Sequence, residues 1–208
     1  MTHHLKTLKN TQAGIALLMT IIVLGVVLSV TLAIVELSLQ HLSLSVDSRD
    51  SEIAFHAANA GLECARYYKR HSSSTFETGG PNVPQTCFGT NSPKFVRFGA
   101  GGAEGVATSS GARGAAYRYQ ASILSGASRC SVIDMVIMVV EASSTKDMTL
   151  TAPDGNLDLR NVFPGYSASS KKCSPGAVCT LASVAGYNAA CTNINADGVL
   201  KRQVLLEF

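Results

Sequence analysis

Six cysteines, Cys64, Cys87, Cys130, Cys173, Cys179 and Cys191, are the residues of this sequence best suited to covalent or metal chemistry. An even count, all of it downstream of a long apolar stretch, reads as a disulfide framework made in an oxidising compartment. The loop CSPGAVC, Cys173 to Cys179, is the easiest to close, because Pro175 and Gly176 make the turn. Cys64 with Cys87 is the second choice, and Cys130 with Cys191 follows by elimination. Zinc would want Cys-x-x-Cys, or Cys and His close together, and neither pattern occurs, so no metal site is expected. Asp154, Asn156 and Asp158 imitate the start of a calcium loop, but Leu159 stands where the loop needs Gly and Gly165 where it needs Glu.

Catalytic sets are no easier to assemble. The five histidines are His3, His4, His41, His56 and His71, none of them in the β-rich head, so a Ser-His-Asp or Cys-His arrangement lacks its base unless His71 folds back. Asp134, Glu141, Asp147, Asp154 and Asp158 supply carboxylates, but their spacing singles out no pair. GAGGAEG follows no long apolar strand and opens no helix, so it is not a dinucleotide fingerprint. The expectation is a protein that is not an enzyme and carries no cofactor. Trp is absent and aromatics are 6%, and the 17 basic residues are nearly balanced by 14 acidic ones. Neither base stacking nor phosphate binding is favoured by that composition, and no nucleic-acid partner is expected.

The element that must position everything else is AGIALLMTIIVLGVVLSVTLAIVE, Ala13 to Glu36. From Ile15 to Val35 there are 21 residues without a charge. At ~1.5 Å of rise per residue, a helix of that length just covers a ~30 Å hydrocarbon core. Its many β-branched residues would suit a strand in water, but in lipid a single segment satisfies its own backbone only as a helix. In front lies MTHHLKTLKNTQAG, a polar leader with Lys6 and Lys9 and no acid, which places the leader inside the cell and the remainder outside. The apolar run is too long for a conventional secretory signal, and Ser29 to Ala33 offers only a poor cleavage site.

A short basic leader, a Gly and an uninterrupted apolar helix together resemble the class III signal of type IV prepilins and pseudopilins. That resemblance implies cutting after Gly14 by a prepilin peptidase on the cytoplasmic side and N-methylation of Ile15. The helix would stay on the mature protein as filament core, and the mature chain would carry 15 basic and 14 acidic residues. Two positions depart from the family: Ile15 replaces the usual Phe, and Met19 the usual Glu at the fifth mature position. Subunits without that Glu, such as the K-type pseudopilin of type II secretion, sit at the filament tip, where no subunit lies ahead, so tip placement or assembly priming is expected. Downstream, SEIAFHAANAGLECARYY resembles the AFxAAEAGLE-like stretch of PilX-type minor pilins, in which the helix is half buried under a β-sheet; Asn59 stands where that family has an acid. The implied partners are other pilin subunits, prepilin peptidase and the bilayer. The implied location is the inner membrane, then an extracellular or periplasmic filament. The alternatives are a filament-borne adhesin with a surface receptor, or an uncleaved single-span anchor for an exported domain.

The rest of the chain follows from periodicity and turn signals. Residues 37 to 70 lack Pro and repeat apolar side chains every three or four positions, reading as an amphipathic continuation of the helix, with thinning or a bend at Ser43, Ser45 and Ser48. Gly25 and Ser29, at small-xxx-small spacing, mark a close helix approach in the membrane. Ala57 and Gly61, with Ala54, Ala58 and Ala60, admit a second element, Phe55, Leu62 and Tyr67 filling the gaps. His56 reads as an exposed or capping residue, and Asp47, Arg49, Asp50 and Glu52 as a solvated face. Residues 71 to 93 read as a loop, and KFVRF as a short strand. AYRYQASIL and CSVIDMVIMVVEAS form an antiparallel hairpin turning at Gly126 to Ser128, where Asp134 marks an edge or bulge or pairs with Arg118. Met148 to Thr151 is a strand followed by a turn at Pro153 to Gly155. The chain closes with a hairpin of Thr180 to Tyr187 and Val199 to Phe208, turning at Asp197-Gly198. The fold class expected is α+β, pilin-like, with a long N-terminal helix packed on a small antiparallel sheet. Its boundaries are a leader at 1–14, a membrane helix at 15–36, a helical continuation at 37–70 and a disulfide-bonded head at 71–208.

Overall fold

The structure, a computed structural model, describes residues 4–85, 87, 92–97, 107–108, 111–124, 129–151 and 159–208. The Gly-rich GAGGAEG, the turn residues Gly126 to Ser128 and the stretch containing Pro153, Asp154, Gly155, Asn156 and Asp158 lie outside them. One helix, α1, runs from His4 to His71, and the chain divides into two compact units, Met1–Ser48 and Arg49–Phe208.

The first unit is helix alone. Leu17, Val26, Val27, Leu28 and Ile34 lend their carbonyls to the hydroxyls of Thr20, Ser29, Thr31 and Ser38 at 2.8–3.0 Å, so these polar side chains are satisfied within the helix. That is what a segment facing hydrocarbon requires, since no water is there to do it. Its apolar side chains from Ile15 to Val46 are exposed. The serines at 43, 45 and 48 do not interrupt the helix assignment.

Among the described residues, the second unit combines the end of α1 with nine strands and two short helices. Strands β1 (Asn82–Gln85), β2 (Ser92–Arg97), β4 (Gly114–Leu124), β5 (Cys130–Val140), β8 (Val178–Tyr187) and β9 (Lys201–Glu207) form a six-stranded sheet in the order β1-β2-β4-β5-β8-β9. Every neighbouring pair in it is antiparallel. Strands β3 (Ala107–Thr108), β6 (Met148–Thr151) and β7 (Lys171–Cys173) form a smaller sheet. Short helices α2 (Ser73–Glu77) and α3 (Leu159–Val162) complete the unit. The fold is therefore α+β, a long helix against an antiparallel sheet, as the periodicity implies. The described part of residues 71 to 93 is not the expected loop: Phe76 on α2 is fully buried, and β1 and the start of β2 lie in this stretch.

Alternation along the strands splits the core in two. On one face Leu62, Ala65 and Tyr68 of α1 pack with Phe76, Phe95, Tyr119, Ile123, Ile133, Ile137 and Val184. On the other, Val136, Met138 and Leu181 meet Met148, Leu150, Leu159, Phe163 and Tyr166. The helix comes unusually close to the sheet. A Cβ on Gly61 would lie 2.8 Å from Ser131 Cβ and Val184 Cγ1, and one on Gly186 would lie 2.1 Å from the Ala54 carbonyl oxygen and 2.2 Å from the Ala58 nitrogen. Ser131 Oγ donates to the Ala57 carbonyl at 2.6 Å, tying helix backbone to strand. Leu62 is buried beside this seam as expected, but Phe55 and Tyr67 do not fill it: both are exposed. Asp50 is not merely solvated either, since Asn188 Nδ2 donates to it at 3.1 Å, and Arg202 Nε donates to Ser51 Oγ at 2.7 Å.

The disulfides are Cys64–Cys87, Cys130–Cys191 and Cys173–Cys179, at sequence separations of 23, 61 and 6. They fasten α1 to the segment after β1, the start of β5 to the segment between β8 and β9, and β7 to β8.

Two stability outcomes follow from this geometry. Gly186→Ala drives a methyl into helix backbone that cannot yield as a side chain would, so equilibrium denaturation should show a loss of about 2–4 kcal/mol. Gly165→Ala, at a glycine with no atom in the way but with φ 90°, should cost only about 1 kcal/mol. Paired Cys→Ser replacements should rank by loop length. The Cys130–Cys191 pair should cost most, about 4 kcal/mol, against about 3 for Cys64–Cys87 and about 2 for Cys173–Cys179.

Candidate functional site

Among the described residues, three surfaces or clusters of side chains offer chemistry. The first is the exposed length of α1. Gly14 and Ile15 lie on it in the open, with nothing within 4 Å of a Cβ built on Gly14. Gly25 is equally open, one turn from Ser29, so the notch these two residues make is uncovered within this chain. Gly14–His71 is one helix whose most apolar window has a mean hydropathy of 2.8, long and apolar enough to cross a membrane.

The second is the ionic pair inside the large sheet. Arg118 Nε donates to Asp134 Oδ1 at 2.9 Å and Nη2 to Oδ2, a bidentate pair between adjacent strands with both side chains more than four-fifths buried. Hydrogen bonding to Asp134 raises the Arg118 pKa although burial opposes it. Asp134 is therefore neither an edge nor a bulge residue: β4 and β5 pair in unbroken register from Gly114↔Val140 to Leu124↔Cys130. Its carboxylate is committed to a structural contact across the hairpin.

The third lies where the end of α1 faces the end of β9. Glu63, Arg66, Tyr67, Arg70 and His71 face Leu206, Glu207 and Phe208 across an open groove of about 830 Å³. Helical spacing supplies one wall, positions 63, 66, 67 and 70 forming a single stripe. Tyr67 and His71 stack with ring centroids 5.4 Å apart. The two acids are already bound: Arg66 pairs with Glu63, and Lys171 Nζ lies 2.6 Å from Glu207. The Lys171 hydrogen bond lowers the Glu207 pKa, helped by Tyr166, against the cost of burial. Burial, with the Glu207 charge and hydrogen bond, pushes Tyr166 up to about 12. Neither the groove nor the Lys171–Glu207–Tyr166 cluster was visible in the sequence, because its members are 41, 36 and 5 residues apart in the chain and meet only through sheet order.

His41, His56 and His71 are exposed. His56 sits 3.5 Å from Glu52 on an open helix face, and His71 stays at the groove rim rather than folding into the head. Among the described residues no group of three or more His, Cys, Asp or Glu could hold a metal ion. Tyr119 is fully buried, its hydroxyl 3.3 Å from the Phe76 carbonyl and 3.2 Å from that of Gly80. Burial pushes it up to about 12, with Arg97 opposing and Tyr117 assisting.

These shifts predict two pH limbs. Tyr119 and Tyr166 have folded pKa values above the ordinary value near 10, so their contribution is whole below pH 10 and is lost as pH rises towards 12. Denaturation midpoints should fall over that interval, with tyrosinate absorbance appearing late for these two residues. Glu207 is depressed, so its contribution is present above the ordinary carboxylate value and is lost as pH falls through its lowered pKa. Lys171→Met should flatten the acid limb and leave the alkaline limb of Tyr119 in place. Comparison of the chain with protein-family models, with curated proteins and with solved structures finds no match.

Proposed function

We propose that this chain is a minor pilin or pseudopilin, a structural subunit of a type IV pilus or type II secretion-like filament, acting at the tip or in assembly priming. The observation that carries the reading is continuity. In α1 a run uncharged from Ile15 to Val35 follows directly on Gly14, and the same helix continues unbroken to residue 71, its small-residue face between Ala54 and Gly61 seated on an antiparallel sheet. One element thus serves a membrane at one end and a folded head at the other.

The mechanism is an exchange of apolar surroundings. The helix first lies in lipid and then among the helices of neighbouring subunits, so extraction from the bilayer replaces lipid contacts by helix contacts. Gly25 and Ser29 are the positions where backbones approach most closely. Met19 supports tip placement, since an apolar residue there needs no buried counter-charge from a subunit ahead. The head, held by three disulfides, suits an exported environment.

Intact-mass and N-terminal peptide spectrometry of protein from native membranes or sheared filaments tests this, with and without reduction. A chain beginning at N-methylated Ile15 is the expected result. A chain beginning at Met1, or cut near Ala33, overturns the reading.

A further inference from the structure

The two edges of the large sheet are treated differently. Edge strand β1 is short, contains Pro84, and shifts register between Val83 and Gln85, all features that blunt an edge against further pairing. Edge strand β9 has none of them: its seven residues lack Pro and pair with β8 without a bulge from Leu181↔Glu207 to Tyr187↔Lys201.

The free hydrogen-bonding groups of β9 can be assigned. Thr180 and Phe208 exchange both backbone bonds, at 2.6 and 3.0 Å. Antiparallel ladders alternate, so Leu206, Val204 and Arg202 also direct their N–H and C=O groups to β8, while Lys201, Gln203, Leu205 and Glu207 direct theirs outward. No described residue pairs with that outward row. At its Glu207 end the row opens beside the groove between α1 and β9. Val204 and Leu206 face the helix side, and Tyr67 and Phe208 expose apolar surface to the same space. Glu63 and Glu207 hold Arg66 and Lys171, whereas Arg70 makes no ion pair among the described residues.

We propose that β9 and this groove receive an extended, acid-bearing segment of a partner polypeptide as a seventh strand, its acidic side chain opposite Leu206 and facing Arg70. Backbone bonds to the outward row give the affinity, and alternate side chains entering the groove give the selectivity. A second copy of this chain fits less well. The acid its own β9 would offer, Glu207, is already held by Lys171.

The test uses the full-length protein in detergent micelles and a phage-displayed library of random 12-residue peptides, the tightest binder being resynthesised as the probe. The expected binder carries an acidic residue and slows hydrogen exchange at the Gln203, Leu205 and Glu207 amides. Leu205→Pro removes one outward N–H without touching the β8 ladder, and Arg70→Glu reverses the groove cation on an exposed side chain. Each should weaken the probe about tenfold or more, about 1.4 kcal/mol or more, with a lysine-for-acid probe recovering affinity for Arg70→Glu. If Leu205→Pro fails to fold, Arg70→Glu and the exchange data decide. Recovery of no binder, binding indifferent to Arg70→Glu, or a dimer abolished by Leu205→Pro overturns the proposal.

Discussion

The close contact of α1 with β5 and β8 is the constraint on which the second unit depends. Backbone meets backbone there: Gly186 lies against Ala54 and Ala58, Gly61 against Ser131 and Val184, and Ser131 bonds the Ala57 carbonyl. Such an approach leaves no room for large side chains at the seam, so the helix can hold its place only if its flanks are secured by other means. The aromatic cluster under the helix end supplies one, with Phe76 edge-on to Tyr119 at 4.8 Å and to Phe95 at 5.4 Å. The Cys64–Cys87 disulfide supplies another, and the Asp50–Asn188 and Ser51–Arg202 contacts hold the helix at the opposite end of the seam.

This arrangement also explains why the sheet needs two faces of core. Six strands with only one helix above them would leave the other face open to water. Val136, Met138 and Leu181 on that face are instead covered by residues from the smaller sheet and α3, and the Cys173–Cys179 bridge anchors that cover to β8. The Arg118–Asp134 pair places opposite charges, more than four-fifths buried, within this largely apolar sheet. Its charges are tolerable because both carboxylate oxygens are engaged by one guanidinium across the hairpin.

The sequence carried the elements better than their meeting points. The membrane-length helix, the 116–124 and 130–143 hairpin and the closing 180–208 hairpin are legible because each is a local pattern: an uncharged run, or alternation between turn residues. The role of Ala57 and Gly61 is legible for a similar reason, since small residues in a helix permit close approach whatever the partner. Phe55 and Tyr67 misled because size suggests a filler, whereas the seam has no gap and helical geometry turns both outward. Phe76 was hidden in a polar stretch, where one aromatic among serines and threonines gives no period. The groove and the Lys171–Glu207–Tyr166 cluster depend on strand order, which no local pattern encodes.

The distribution of exposed apolar surface separates the two units by solvent. Among the described residues, twenty of the 25 exposed large apolar side chains lie between Ile15 and Val46, and Phe55, Tyr67, Val96, Val178 and Phe208 lie in the second unit. A surface as apolar as the first unit's is stable only against lipid or other helices. The exposed run continues past Glu36 through Leu37, Leu39, Leu42, Leu44 and Val46, a stretch interrupted by Gln40, His41 and serines. Within it Val35, Leu39, Leu42 and Val46 follow at alternating four- and three-residue spacing, the interval that keeps one stripe facing a neighbouring helix. Lipid requires no such stripe, because it surrounds a helix on every side. The apolar helix up to Val35 thus meets the demands of a bilayer, and the stripe of Val35, Leu39, Leu42 and Val46 meets those of a helical neighbour.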